Sequence, residues 1–290
     1  MSSFPQIGER LRAYRIGSGL TVEEIADRLG VSRAALYRYE AGDVVKLDTI
    51  DRLGRLFGVS MTALLGVGVE YFGNGIAFFE RLRQLEEKTQ HMTIVFGPAA
   101  YVLTSNEYDE ALLTALTEAE DEGDRLSAQE GAMLMDVLTS RKAAYRARQP
   151  SLVNIVSAHE IERFLRNGLS LRPKVQRTKL AARRAMAARE VERIAQIIAH
   201  PPMGVQIGLT RRTLPTTGFQ LVRQEERSLV VTSPFRIGEQ PNIRYGIATI
   251  SDAKDAIDVH QTLADQLWSS VIQGSAAADE LNRIVKVTGV

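Results

Sequence analysis

The signal that ends one helix, Gly30, and the signal that starts the next, Ser32, stand only two residues apart. This pair constrains the fold of the chain more than any other feature. Thr21 followed by Glu24 has the spacing of a capping box, in which each side chain bonds a free backbone amide of the first helical turn. Gly30 suits the left-handed backbone that ends a helix, and Ser32 is a preferred N-cap for the next helix. So short a turn predicts two helices that cross steeply.

Apolar residues spaced three and four apart place this helix pair inside a larger all-α unit. Helices are predicted at about residues 6–17, 21–29, 33–41, 47–57 and 60–65. The predicted core is Ile7, Leu11, Tyr14, Leu36, Ile50, Leu53, Leu56, Phe57, Leu64 and Leu65. We expect this unit to fold by itself.

Along residues 7–66 the pattern resembles the Cro and lambda-repressor (XRE) family of DNA-binding domains. In that family the second helix of the motif enters the major groove of double-stranded DNA, and the preceding helix crosses the phosphate backbone. The resemblance implies an all-α, five-helix, lambda-repressor-like head. It also implies a function in transcription regulation, for example as a repressor.

Carried over residue by residue, the resemblance assigns DNA contacts to the start of the third helix and to its surroundings. Arg33 is the strongest specificity candidate, because a guanidinium can donate two parallel bonds to guanine, worth about 1 to 3 kcal/mol of discrimination. Ala34 beside it can touch only a thymine methyl group. The alternative for the exposed arginines is a solvated helix face. The predicted DNA-binding residues are Thr21, Ser32, Arg33, Ala34, Tyr37, Arg38 and Lys46.

Three further positions are interpreted from the same resemblance. Arg15 and Glu40 correspond to a partly buried ion pair that ties the first helix to the end of the third, so we assign them to the scaffold. Val22 stands where the family often has a glutamine, and we therefore expect one phosphate contact fewer.

Charge argues against unspecific binding of nucleic acid. Residues 1–67 hold nine Lys or Arg against eight Asp or Glu, and the whole chain has a net charge of +1. Unspecific affinity comes from phosphates neutralised by cations, so a nearly neutral head depends on base contacts and dimerisation. We expect a homodimer that reads a near-palindromic operator with half-sites about one helical turn apart.

Composition excludes several other classes of site. The chain has no cysteine, which rules out disulfides, thiol redox sensing and thiolate zinc sites. The four histidines are far apart in sequence, and we predict no metal, no cofactor and no enzymatic activity. No apolar run is long enough to span a bilayer, and no secretion signal is recognisable, so we expect a cytoplasmic protein without a membrane partner.

Four glycines within residues 66–75 interrupt the helical pattern and predict a short linker. The predicted organisation is a helix-turn-helix DNA-binding domain at residues 1–67, a linker and connector helix at 68–91, and an α+β domain at 92–290. The last domain would bind an effector, a protein partner or a second copy of the chain.

The body is predicted as a mixed α and β domain with a small sheet backed by helices. Strands are predicted at residues 92–96, 152–156, 204–210, 218–224, 228–232 and 243–250, and helices at 76–90, 127–146, 158–166, 175–199 and 252–272. Its order of elements around RKAAYRARQPSLVNIVSAHEIERFL resembles, loosely, the domain that follows the head in actinobacterial XRE developmental regulators. That resemblance implies a regulatory body.

Several features of the body keep two interpretations. Residues 160–194 hold ten Lys or Arg against four Glu, and residues 107–124 hold eight acids and no base. We interpret both segments as solvated faces. The alternative for the basic segment is a second DNA or anionic-ligand contact, and the alternatives for the acidic segment are docking on that basic helix and repulsion of DNA from the body. Four aromatic residues either line an effector pocket or fill the core: Phe219, Phe235, Tyr245 and Trp268.

The predicted function is thus a dimeric, sequence-specific transcriptional regulator whose body binds a small effector or a protein partner and thereby changes the geometry of the head. The alternative is an XRE-headed, antitoxin-like interaction protein whose body binds a protein partner.

Overall fold

The computed structural model describes residues 4–43, 46–66, 68–119, 123, 125–169, 177–238 and 240–289. Within them a helical N-terminal unit, residues 4–66 (the head), is followed by residues 68–289 (the body), which combine a seven-stranded mixed sheet with helices. The helices of the head are α1 (Phe4–Ser18), α2 (Val22–Leu29), α3 (Arg33–Glu40), α4 (Leu47–Phe57) and α5 (Met61–Leu65). The first elements of the body are β1 (Val69–Phe72), α6 (Gly75–Glu86), β2 (Thr89–Val95), a 3-10 turn (Tyr101–Leu103), α7 (Asn106–Thr117) and α8 (Ala128–Arg148). Its remaining elements are β3 (Ser151–Ser157), α9 (Ala158–Asn167), α10 (Arg177–Ala199), β4 (Val205–Thr210), β5 (Gly218–Gln224), β6 (Ser228–Ser233), β7 (Ala248–Ser251), α11 (Lys254–Trp268) and α12 (Gly274–Thr288).

The caps predicted for the helix pair are confirmed. Thr21 Oγ1 accepts from the Glu24 amide at 3.2 Å, and the Thr21 amide donates to Glu24 Oε2 at 2.7 Å. Gly30 ends α2 with φ 67°, and Ser32 Oγ accepts from the Ala35 amide at 3.1 Å. Because both caps satisfy orphan amides locally, the turn between α2 and α3 is fixed by its own residues.

The sheet has the order β1-β7-β6-β5-β2-β3-β4, in which β2, β3 and β4 are parallel neighbours and the other pairs are antiparallel. Alternate residues of β2 serve opposite faces: Ile94 belongs to the main core and Val95 to a second core. The second core lies under α11, whose Ala264 and Leu267 are buried there, as its apolar stripe predicts.

The prediction of a linker is wrong in one respect, because residues 69–72 form the edge strand β1. Glu70 pairs with Ile250 and Phe72 with Ala248 of β7, and both Glu70 and Phe72 are buried while Tyr71 faces solvent. The glycines around this strand suggested a hinge, but the alternation of buried and exposed residues between them is that of a half-buried strand.

Other differences concern the ends and number of elements. The connector helix α6 ends at Glu86 because Thr89 already begins β2, and Asn74 caps its start by accepting from the Ala77 amide at 3.0 Å. Neither α7 nor α12 was predicted. Strand β7 begins at Ala248 rather than at residue 243, since residues 242–247 form a loop held by the Asn242 side chain. The predicted start of α10 at residue 175 lies outside the described residues.

The head packs tightly on the body through α1 and α6, a contact that we call the joint. A Cβ atom on Gly17 would lie 2.3 Å from Ala77 Cβ, so the two helices meet at van der Waals distance only because residue 17 lacks a side chain. Tyr14 stacks on Phe72 with ring centroids 5.0 Å apart and donates its hydroxyl to the Tyr71 carbonyl at 3.1 Å. The head and the body are therefore in packed contact at the joint, where the sequence predicted only a short linker between them.

A buried ionic cluster lies at the centre of the joint. Arg81 of α6 is fully buried and donates Nε and Nη2 to the two oxygens of Glu70 at 2.9 and 3.0 Å. Its Nη1 donates to Glu9 of α1 at 3.2 Å, and Arg10 Nε lies 2.8 Å from Glu70. Burial raises the pKa of Glu70, but Arg81 and Arg10 outweigh it and hold that pKa below its ordinary value. Two helices and a strand thus share one set of paired charges.

Among the described residues, no helix combines the length and apolar character required to cross a membrane.

Candidate nucleic-acid interface

The outer face of α3 carries the side chains predicted to read DNA. Ala35 and Leu36 turn into the head core, where Leu36 is 1% exposed. Arg33, Ala34, Tyr37 and Arg38 all lie on the opposite, exposed side. Ser32 caps the helix at the same end. The helical period of 3.6 residues places these four side chains on one continuous surface.

Both arginines of this surface are paired with carboxylates. Arg33 Nη1 donates to Glu23 Oε1 of α2, although the two side chains are 65% and 56% exposed. This hydrogen bond from Arg33 lowers the pKa of Glu23 and keeps it ionised. Arg38 lies 3.8 Å from Asp43 and is also exposed. Such exposed pairs are weak, so a phosphate or a base can displace the carboxylates.

Two of the residues predicted to touch DNA through a hydroxyl group, Thr21 and Ser32, also act as helix caps. Thr21 Oγ1 lies 3.0 Å from Glu24 Oε2, to which it donates, while it accepts from the Glu24 amide. Ser32 Oγ accepts from Ala35 and keeps its own proton for another acceptor. Ser32 is therefore the better placed of the two to donate to a phosphate.

Lys46 is exposed at the start of α4, where it occupies the N-cap position without a side-chain cap. The neighbouring Arg52 was not singled out from the sequence. Its Nη2 donates to the Leu29 carbonyl at 2.8 Å, so it ties α4 to the C-terminal end of α2. Arg52 thus supports the helix pair rather than the exposed face of α3.

The scaffold pair Arg15 and Glu40 is confirmed. Arg15 donates Nη2 to Glu40 Oε2 at 3.1 Å and Nε to Oε1, and the two side chains are 16% and 6% exposed. A Cβ on Gly8 would lie 2.4 Å from the Glu40 carbonyl oxygen, so α1 also passes directly over the end of α3. This contact connects α3 to α1, the helix of the head that forms the joint.

The four aromatic residues proposed for an effector pocket separate into two pairs. Phe219 and Phe235 line a cavity of about 80 Å³ in the body. Tyr245 is 61% exposed, and Trp268 packs against the second core under α11. Four charged residues of the cavity wall, Glu86, Arg141, Glu160 and Arg236, were not recognised from the sequence, which offers no local signal for them.

The basic and acidic segments of the body contact each other at one end. Arg189 Nε of α10 donates to Glu107 at the start of α7 at 3.1 Å, and Arg193 donates to the Leu103 carbonyl. Arg184 Nε donates to the Arg166 carbonyl of α9. The side chains of residues 177–179 lie outside the described residues. Part of the basic face thus serves packing within the body.

Comparison with known proteins identifies the head. Residues 6–65 match the family model described as a helix-turn-helix domain. A protein of Pyrobaculum aerophilum, provisionally named an HTH-type transcriptional regulatory protein, is 41% identical over 56 residues, which are 19% of this chain and 22% of that relative. The chain thus spans less than a quarter of the relative that it matches. No solved structure matches the chain. The N-terminal helical region is thus similar to helix-turn-helix domains, and the body lies outside the residues that the family model matches.

Proposed function

We propose that this protein is a sequence-specific, DNA-binding transcriptional regulator of the XRE type, with a body that senses a ligand and has no catalytic function. The observation that carries the proposal is the exposed face of α3, which presents Arg33, Ala34, Tyr37 and Arg38 from a capped helix within a helix-turn-helix domain. In such domains the start of this helix enters the major groove and reads base edges.

On binding, Arg33 exchanges Glu23 for the O6 and N7 atoms of a guanine. The exchange costs little because both side chains are already solvated, and it gains a bidentate contact worth about 1 to 3 kcal/mol. Arg38 exchanges Asp43 for a phosphate or a second base edge, and Ser32 and Lys46 hold phosphates on either side. Sequence preference then comes from Arg33, while the remaining contacts fix the register.

The protein acts as a homodimer on a near-palindromic operator. One head presents a single short reading helix and is close to neutral, so two heads on a two-fold axis supply the affinity that one head lacks. Analytical ultracentrifugation at micromolar concentration should show a dimer, and a dimer should bind each operator. A monomer that occupies a single half-site with full affinity contradicts this part of the proposal.

The joint supports a regulatory function for the body. Helix α6 contacts α1 at Ala77 and Arg81, and α1 in turn carries the Arg15 contact to the end of α3. A change in the position of α6 would therefore alter how the two reading helices of a dimer are spaced. Spacing of half-sites is the quantity to which such dimers are most sensitive.

The decisive experiment selects genomic DNA fragments with the full-length protein at moderate salt. Wild type should enrich one near-palindrome, and Arg33→Ala/Arg38→Ala should lose it. Arg55→Ala/Arg283→Ala is the matched control, because it removes the same charge from two exposed arginine side chains outside α3 and should enrich the same sequence. Absence of enrichment by wild type, or retention by the α3 variant, overturns the proposal.

A further inference from the structure

A cavity in the body lies at the end of the sheet where β2 ends and β5 begins. Its volume is about 80 Å³. A buried water requires roughly 10 to 15 Å³ of cavity volume, so the cavity has room for about five to eight water-sized groups. Its size therefore suits a small metabolite.

Seven of the 24 residues that line this cavity are aromatic, five of them phenylalanines. Phe78 and Phe79 of α6 face it from one side, and Phe96, Phe219 and Phe235 from the sheet and its loops. Phe78 and Phe235 also contact each other, with centroids 5.8 Å apart. Rings of this kind favour an apolar body on the ligand.

Arg141 of α8 brings an unsatisfied donor to the wall. Its Nε and Nη2 each donate to Glu86 of α6 at 2.8 Å, and its guanidinium lies 5.6 Å from the ring centroids of Phe79 and Tyr101. The side chain is 5% exposed, and Nη1 is buried without a hydrogen-bond partner among the described residues. An unpaired donor of a buried charge is costly, and an acceptor on a ligand relieves that cost.

Glu160 of α9 brings an unsatisfied acceptor to the same wall. Its Oε2 is also buried without a hydrogen-bond partner in the described part of the chain. A Cβ on Gly97 would lie 2.5 Å from this oxygen, so the glycine at this position leaves the carboxylate its place. The cavity thus offers one buried donor and one buried acceptor, on two different helices.

We propose that the cavity binds a small amino or hydroxy acid with an apolar side chain, an inference that rests on the proposed sensing function of the body. The ligand carboxylate accepts from Arg141 Nη1, its amine or hydroxyl donates to Glu160 Oε2, and its side chain packs among the phenylalanine rings. Each polar group of the ligand pairs with a group that is otherwise unpaired, which gives selectivity for molecules that carry both.

The ligand would also contact the helix that carries the joint. Phe78, Phe79 and Glu86 of α6 line the cavity, whereas Ala77 and Arg81 of the same helix contact α1 of the head. A ligand in the cavity would therefore contact α6, which is the only described helix that both lines the cavity and takes part in the joint. This arrangement connects binding in the body to the orientation of the head.

Calorimetric titration of the full-length protein tests the ligand class. Valine and 2-hydroxyisovalerate carry both polar groups, isovalerate lacks the donor, and isobutylamine lacks the carboxylate; phenylalanine and 3-phenyllactate test a larger side chain. The compounds with both groups should bind at least about tenfold more tightly than their single-group analogues. Equal binding of the analogues, or no binding by any compound of the set, overturns the inference.

Two variants locate the site. Glu160→Gln should weaken valine about tenfold and leave isovalerate within about twofold, because only valine uses that carboxylate. Glu162→Gln, on the same helix but outside the cavity wall, is the control and should leave the affinities for valine and isovalerate unchanged. Glu86→Gln/Arg141→Met removes both members of the buried ion pair, which leaves no lone charge. This double variant should abolish binding of both valine and isovalerate. Unchanged affinities in the cavity variants contradict the assignment.

Failure of this inference differs from failure of the proposed function. A protein that binds its operator but none of the two-group compounds retains the DNA-binding function and loses the ligand assignment. A protein that binds valine through Glu160 with no change in operator affinity retains the ligand site and loses its regulatory coupling.

Discussion

Gly17 of α1 and Ala77 of α6 are in direct contact, and a Cβ atom on Gly17 would lie 2.3 Å from Ala77 Cβ. Because of this contact, the sign of the stability change on Gly17→Ala tests whether α1 and α6 pack as described. In a free helix, Gly→Ala stabilises by up to about 1 kcal/mol. At residue 17 the added methyl must instead push two helices apart.

Gly17→Ala should therefore destabilise the protein by about 1 to 3 kcal/mol, the usual cost of overpacking. Chemical denaturation monitored by circular dichroism measures this change. Gly73→Ala is the control, because nothing lies within 4 Å of a Cβ at that position, and its effect should stay within about 0.5 kcal/mol. A stabilising Gly17→Ala would mean that α1 and α6 are not packed as described.

The pairing of Arg33 with Glu23 predicts that removal of the carboxylate improves DNA binding. Glu23→Gln frees the guanidinium and removes a negative charge next to the phosphates, so operator affinity should rise several-fold, and more at low salt. Fluorescence anisotropy over a series of salt concentrations gives both quantities. Asp27→Asn, which removes an exposed charge from the same helix, should have the smaller effect. Equal effects would show that only general charge matters.

Ser32 combines a cap with a DNA contact, and two substitutions separate these roles. Ser32→Ala should cost about 1 kcal/mol of helix stability and speed exchange of the Ala35 amide proton, which loses its acceptor. Ser32→Asp retains the cap but adds a negative charge, so it should preserve protection of that proton and still weaken DNA binding. Hydrogen exchange by NMR and operator affinity are measured on both variants. Full affinity in Ser32→Asp would remove Ser32 from the interface.

The ionic cluster of the joint predicts a specific pH dependence. The pKa of Glu70 is held below its ordinary value of 4.5, so its contribution to stability is complete above that pH and is lost as the pH falls below it. Glu70→Gln leaves Arg81 and Arg10 without their carboxylate and should cost about 3 to 5 kcal/mol near neutral pH. The difference in unfolding free energy between wild type and Glu70→Gln should shrink on acidification. A difference that is constant down to strongly acidic pH would exclude Glu70 as the responsible group.

Local chemistry explains why the head was predictable. The capping box at Thr21, the left-handed Gly30 and the cap at Ser32 depend on residues at most four positions apart, so the local sequence determines them. Helix α12 carries a comparable signal in the spacing of Ala277, Leu281 and Ile284, which is that of a helix with one buried face.

Long-range pairing explains what was missed. Strand β1 is defined by its pairing with β7, which lies near the other end of the chain, and its glycine-rich surroundings concealed a four-residue alternation. Glu86 and Arg141 stand 55 residues apart on different helices, so no local pattern marks the cavity wall. Phe219 and Phe235 were recognised as pocket candidates because large aromatic residues are informative wherever they occur, whereas isolated charges are not.

The joint also limits how this protein can be recombined with its relatives. A foreign helix-turn-helix domain grafted at residue 66 fits the body only if it supplies the equivalents of Glu9, Arg10 and Tyr14 and a glycine at position 17, and a domain that lacks them would not fit. Such a chimera would expose Phe72 and leave Arg81 beside an incomplete set of carboxylates. A productive exchange of operator specificity should therefore transplant only the outer residues of α2 and α3 and keep α1 with its native body.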